Sequence, residues 1–252
     1  MKKLCTLLFI SNLFILSGFA QTPGVQWQIN DRNGVGDGTA LATSDSGLIL
    51  SLGNKLSKID KHGLLEWKVT PVQTIESFKH IRKGADGNYY AFGQSGNFSN
   101  TDFYVLKFTG SGTILWEKTF GGSQREELDD VKETADGGWV LGGATYSGDG
   151  DVIPPTNHSY DSTKSEVWLI KVSPLGNKVW TKTFGGSEHE HLNRIIGNQT
   201  DGFLIACFSN STDGDFQDFN AYNSAWLLNL DNAGNVIWKK RQANFNTIHR
   251  TF

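Results

Sequence analysis

The sequence is poor in most residues that staple, kink or charge a chain. It has 252 residues but only two cysteines, one methionine and five prolines. Cys5 sits inside an N-terminal apolar run, so a mature chain without that run keeps Cys207 alone and no intrachain disulfide forms. Because Cys5 is within the run and not at its end, the pattern does not read as an acylated lipoprotein cysteine. Basic residues are not in excess: 23 Lys plus Arg face 26 Asp plus Glu, which excludes a phosphate-gripping nucleic-acid binder. After the N-terminal run no apolar stretch approaches the roughly 18 residues of a membrane span. G-x-S-x-G is missing, and with it the nucleophile elbow of an α/β-hydrolase.

What is there begins with a leader. Met1-Lys2-Lys3 is basic, Leu4–Leu16 is apolar, and Gly18-Phe19-Ala20 supplies the small residues a signal peptidase reads. The expectation is residues 1–20 as signal peptide and an exported mature chain, in the periplasm, at the cell surface or outside the cell. Losing two lysines leaves 21 basic against 26 acidic residues, a formal charge of −5 on the mature chain. Twenty-nine glycines and eight tryptophans then suggest a β protein built on tight turns and aromatic packing.

Tryptophan exposes an internal repeat. Trp116–Asp151 aligns with Trp180–Asp215 without a gap, with 14 identities in 36 positions, among them W-x-K-T-F-G-G-S and S-x-D-G-D. A glycine four residues before a tryptophan recurs at Gly63/Trp67, Gly112/Trp116, Gly176/Trp180 and Gly234/Trp238, and Trp27 is a degenerate fifth copy. In the best-defined unit the pattern predicts strands at Leu128–Thr134, Trp139–Tyr146, Glu166–Val172 and Lys178–Phe184. Asp-Gly and Gly-Asn pairs at the turns provide the positive φ that tight hairpins need. No helical period stands out after the leader. Four-stranded antiparallel units in tandem predict an all-β protein, a β-propeller. A flat β-solenoid is the alternative, disfavoured because its rungs are usually much shorter than the spacing between these tryptophans. The expected repeats are about 31–71, 72–122, 123–186 and 187–244, within a propeller domain of 21–252. Partial strands flank them, Val25–Ile29 at one end and an incomplete repeat 245–252 at the other. That fraction of a repeat reads either as an interrupted piece of a longer propeller or as a four-blade ring with irregular end strands.

The W-x-K-T-F-G-G-S, T-x-D-G-G and S-x-D-G-D series resembles the SBBP-type β-propeller repeats of secreted and surface proteins of Bacteroidetes-like bacteria. The first unit, through Asp60-Lys61-His62-Gly63 and Trp67, is similar to a PQQ-type propeller repeat. Both resemblances imply architecture; such repeats serve in scaffolds, binders and enzymes alike.

Propeller geometry puts the loops after strands two and four of each unit on one face. Their lengths vary most there, 19 residues at Ser147–Ser165 and 16 at Ser209–Ser224, the layout of a binding surface. This face is expected to be acidic, with Glu126, Glu127, Asp149, Asp151, Asp161, Glu188, Glu190, Asp213, Asp215 and Asp218. Asp149/Asp151 and Asp213/Asp215 flank a glycine as cation ligands do, so calcium is the one cofactor the motif admits. Each loop offers about three of the six to eight oxygens calcium takes, and an Asp-Gly turn explains the motif more simply. His189 and His191 would point the same way along an extended segment; without H-E-x-x-H they read as a solvated polar loop. Thr134-Ala135-Asp136-Gly137-Gly138 reads as a hairpin turn and not a sialidase box, and Gly34–Gly38 lacks the lysine and helix of a phosphate loop. Cys207 and the tryptophans read as packing residues. With no catalytic constellation assembled, the expectation is a non-enzymatic surface or secreted module. It binds a protein or a glycan, or acts as a scaffold, through the acidic loop face. The alternative is a propeller enzyme, a carbohydrate-active hydrolase or a quinone-dependent dehydrogenase, and an inactive fragment of a longer protein is a further form of it.

Overall fold

A computed structural model describes residues 39–52, 54–97, 100–154, 156–198, 201–218 and 223–242. The expected leader, the Val25–Ile29 strand, Trp27, Gly34–Gly38 and the incomplete repeat 245–252 lie outside these residues. The described chain is all-β, four four-stranded antiparallel sheets that follow one another as the blades of a β-propeller. Blade 1 is β1 (Ala40–Ala42), β2 (Leu48–Leu52), β3 (Lys55–Ile59) and β4 (Leu65–Val69). Blade 2 is β5 (Ile75–Lys83), β6 (Tyr89–Asn97), β7 (Asn100–Phe108) and β8 (Ile114–Phe120). Blade 3 is β9 (Glu126–Glu133), β10 (Trp139–Thr145), β11 (Glu166–Val172) and β12 (Lys178–Phe184). Blade 4 is β13 (Glu190–Gly197), β14 (Phe203–Ser209), β15 (Ser224–Leu230) and β16 (Val236–Gln242). Among the described residues the only helical segment is one 3-10 turn, Gly214–Phe216.

Each strand is paired with its sequence neighbour, so every blade is a meander. The central strands carry apolar residues on both faces because a blade packs on each side. In β11, for example, all seven residues are buried. Three apolar seams result. Ile49 and Leu56 of blade 1 meet Phe78, Tyr104 and Leu106 of blade 2. Tyr90, Phe92, Phe103 and Val105 meet Trp139, Leu141, Trp168 and Ile170 across the next seam. Val140, Val167 and Leu169 meet Leu192, Ile195, Phe203 and Ile205 across the third. Cys207 lies in that seam, free and 2 % exposed, its thiol pushed far up by burial.

The tryptophans lock blade to blade. Trp67 Nε1 donates to the carbonyl of Gly110 at 3.0 Å, and Trp180 Nε1 to that of Asn232 at 3.0 Å, each in the turn between the last two strands of the following blade. Trp116 packs on the corresponding Gly176. The turn glycines Gly112, Gly176 and Gly234 have φ of 82°, 78° and 77°. Backbone conformation alone does not demand glycine in this chain, because Ser46 and Asp201 hold φ of 66° and 57° in other hairpin turns. The indole does: a Cβ at Gly112 would lie 2.8 Å from the Trp67 ring, and at Gly176 3.1 Å from Trp116.

Candidate functional site

The two faces of the molecule are built differently. The turns after first and third strands share one design, as in Thr134 N to Gly138 O at 2.9 Å with Gly137 N returning to Thr134 O at 2.9 Å. Asp136 accepts from Gly138 N at 3.1 Å and pairs with Lys171 at 2.7 Å, so Thr134–Gly138 is a hairpin turn.

On the other face, F-G-G-S and S-x-D-G-D prove to be two halves of one clasp, formed twice. In blade 3 the amide of Ser123 donates to Asp149 Oδ1 at 2.7 Å, Gly121 N to Asp151 Oδ2 at 3.3 Å, and Gln124 N to Ser147 Oγ at 2.9 Å. Asp151 N returns a bond to Gly121 O at 2.8 Å. Blade 4 repeats it: Ser187 N to Asp213 Oδ1 at 2.8 Å, Gly185 N to Asp215 Oδ2 at 3.1 Å, Glu188 N to Ser211 Oγ at 2.9 Å. The loops touch backbone to backbone; a Cβ on Gly150 or Gly214 would lie 2.5 or 2.2 Å from the opposing carbonyl. Asp151 also pairs with Lys178 at 2.6 Å. The four aspartates considered as calcium ligands thus already accept from amides, a donor set suited to holding a loop. Among the described residues no group of three or more His, Cys, Asp or Glu side chains is placed to hold a metal ion.

Glu126 and Glu190 are expected on the ligand face; the structure buries both completely as the first residues of β9 and β13. Each is the floor of a clasp. Glu126 accepts from Thr145 Oγ1 at 2.8 Å and Gly122 N at 3.1 Å. Glu190 accepts from Ser209 and Ser211 hydroxyls at 2.7 and 2.6 Å and from Gly186 N at 3.1 Å. Burial pushes each up to about 7 against these hydrogen bonds, and the neighbouring Asp102 and Glu166 push the same way. Sequence alternation could not place them, because they stand at a loop-to-strand boundary, where the direction of a side chain is not set by period two.

The other expected acids do lie near solvent. Glu127 pairs with Arg125 at 3.1 Å, Glu188 with Lys164 at 2.6 Å, and Asp218 with Arg241 at 2.8 Å. Asp161 is exposed and caps a turn through Thr163 N at 2.9 Å. His189 and His191 lie on one side of their segment with parallel rings 6.3 Å apart, and Ser165 N donates to His189 Nδ1 at 3.2 Å. Burial lowers His191 from its ordinary range. The described residues of the loop between β10 and β11 make contacts of their own. Val152 is buried, Tyr160 OH donates to Tyr146 O at 2.6 Å, and His158 Nε2 meets the buried Glu166 at 2.7 Å. The loop leaves Ile153 61 % and Tyr160 39 % exposed, with the Ile153 carbonyl accepting from Thr183 of β12.

A second feature escapes sequence reading. The first strands carry β-bulges that leave Glu76, Lys79 and Asp129 without a cross-strand partner. These three, with Arg125, Glu127 and Gln94, line a cavity of about 300 Å³ between β5 and β9. Bulges re-aim side chains, and the signal for them was present as Gly93 and Gly143 inside apolar strands. A Cβ there would lie 2.1 and 1.8 Å from the opposing Ser77 and Glu127 carbonyls. Asp129 is pushed up to about 7 by desolvation of its carboxyl among the cavity-lining residues and by Glu127 and Asp130, with Lys79 opposing.

These features define the class, a β-propeller-type protein with one face of uniform turns and one of built loops. No family model matches the chain, and no curated protein matches it. Similar solved structures include a protein of unknown function from Bacteroides caccae, 14 % identical over 81 % of this chain and 80 % of that one, with a TM-score of 0.35. BamB from Moraxella catarrhalis is 12 % identical over 81 % of this chain and 63 % of its own, at 0.35. An apocarotenoid oxygenase mutant from Synechocystis is 15 % identical over 78 % of this chain and 46 % of its own, at 0.43. These likenesses carry no statement about activity or ligand.

Proposed function

We propose that this is an exported, non-enzymatic binding module that contacts a protein through the loop face of blades 3 and 4. One observation carries the reading: the clasp of blade 3 spends its buried carboxylate and serine on fixing the base of the loop after β10, and that loop leaves Ile153 and Tyr160 exposed, with Asp161 and the Lys164–Glu188 pair following Tyr160. A fixed loop with exposed apolar side chains and charged neighbours is the anatomy of an interface. Glycan is the other ligand class this face admits, and the leader supports placement beyond the inner membrane. Among the described residues no helix is long and apolar enough to cross a membrane. The test is an interaction screen against exported proteins and an array of glycans, with Ile153→Ser and Tyr160→Ala as controls. Loss of a saturable protein contact in both variants supports the reading; a contact unaffected by either overturns it.

The bulge cavity favours a second reading, a carbohydrate-active hydrolase. Three carboxyl groups, Glu76, Glu127 and Asp129, share it, with that of Asp129 raised, and glycosidases work with a pair of carboxyl groups. Hydrolysis of an aryl glycoside that disappears in Asp129→Asn would replace the first reading with this one.

A further inference from the structure

The three blade-to-blade joints share one register, and the described residues present one unpaired half of that joint at each side. On the trailing face of blades 1 to 3 the equivalent positions Ile49, Tyr90 and Val140 are fully buried by the next blade. So are Phe103 and Val167, and Val105 and Leu169. In blade 4 the same positions are Leu204, Ala225 and Leu227, all only half-buried, beside a groove of about 260 Å³. Trp238, the counterpart of the docked Trp67, Trp116 and Trp180, is 45 % exposed.

Blade 1 presents the other half. Its Asp60–Leu64 turn has the geometry of the docked turns, with Asp60 N to Leu64 O at 2.9 Å, Gly63 N to Asp60 O at 3.0 Å and φ of 78° at Gly63. It has glycine where the joint requires it, although φ alone is met by serine or aspartate elsewhere in the chain. The residue after that glycine is polar in blades 2 to 4, as Thr113, Asn177 and Asn235. In blade 1 it is Leu64, 66 % exposed, followed by Leu65 at 54 %. Leu48, equivalent to the buried Tyr89, Trp139 and Phe203, is half-buried. Among the described residues the two sides make no substantial contact within one chain.

We propose that the occupant of the blade 4 face is blade 1 of a second copy of this chain. Trp238 of one copy packs on the Gly63 turn of the next, its Nε1 donating to the Lys61 carbonyl as Trp67 does to Gly110 and Trp180 to Asn232. Lys240 takes the place of Lys182, whose Cγ would lie 3.0 Å from a Cβ on Gly234, and its aliphatic stem lies along Leu64. The contact is heterologous, so it closes into a ring or extends as a chain of copies.

Sedimentation velocity of the mature chain over a wide concentration range tests this. The parent should shift from monomer to larger species as concentration rises. Trp238→Ser, and separately Leu64→Glu with Leu65→Glu, should each remain monomeric with unchanged circular dichroism, since all three residues are exposed. Mixing the two variants should restore a dimer, because each keeps the half the other lacks. A parent that is monomeric throughout, or variants that associate as the parent does, overturns the proposal. This readout is independent of the loop face, so it stands or falls apart from the protein-binding reading.

Discussion

The turn face and the loop face are made from the same blades yet use sequence in opposite ways. On the turn face every hairpin is short, and the glycines of the outer turns in blades 2 to 4 face the indole of the preceding blade. Contact there is between blades, and the chain has little freedom to vary. On the loop face the glycines face another loop, and that contact creates a platform from which residues 147–165 project. The repeat is kept in both, but only the second leaves residues over after the fold is satisfied. Function is expected where the repeated interactions end.

Four measurements bear on this contrast. Trp180→Ala removes the lock between blades 3 and 4 and should cost about 3–5 kcal/mol in chemical denaturation; a loss under about 1 kcal/mol would mean the turn face is not what joins the blades. Gly176→Ala should cost more than Gly87→Ala. Both have positive φ, worth about 1–2 kcal/mol, but only Gly176 meets a ring, whereas a Cβ at Gly87 meets nothing within 4 Å. Equal losses would show that conformation and not the tryptophan selects glycine.

The third measurement addresses the clasp floor. Glu126 and Glu190 hold a proton up to about pH 7 when folded, against 4.5 as the ordinary value. The folded state therefore binds more protons between these limits, and the stability from this source is complete below about 4.5 and lost as pH rises to about 7. His80 and His191 are lowered by burial and act in the opposite sense, so a difference experiment is needed. Glu126→Gln with Glu190→Gln should flatten the fall in melting temperature between pH 4.5 and 7 relative to the parent; an unchanged slope would show that the two are ionised in the fold. The smallest effect is expected at Ile153→Ser, within about 0.5 kcal/mol of the parent by denaturation because the side chain is mostly exposed. A large loss would make Ile153 structural and remove it from the proposed interface.

Much of the fold was legible because a repeat reports its own period. Trp116 and Trp180 aligned the blades, and alternation in Val167–Val172 announced a strand buried on both sides. The clasp was legible only as a coincidence of two motifs. Nothing in F-G-G-S or S-x-D-G-D says that they touch, since two strands and a turn separate them along the chain. The acidic face was overestimated for a related reason. Glu126 and Glu190 look like solvated loop residues until Thr145, Ser209 and Ser211 are seen to surround them. The bulge residues Glu76, Lys79 and Asp129 were marked only indirectly, by Gly93 and Gly143 on the opposing strands, because a bulge changes register without changing the composition of the strand that carries it.

Local sequence is enough to specify the blade. Strand length, turn chemistry and the docking tryptophan are short-range or periodic properties, set by hydrogen bonding and side-chain alternation within a single repeat. Which polar groups are left for function is a matter of tertiary packing. That depends on which carboxylates other segments bury, which loops meet across a seam, and which copy of a repeated surface has no neighbour among the described residues. Trp67, Trp116, Trp180 and Trp238 occupy the same place in the repeat, yet the last is left half exposed because burial belongs to the neighbour as much as to the residue.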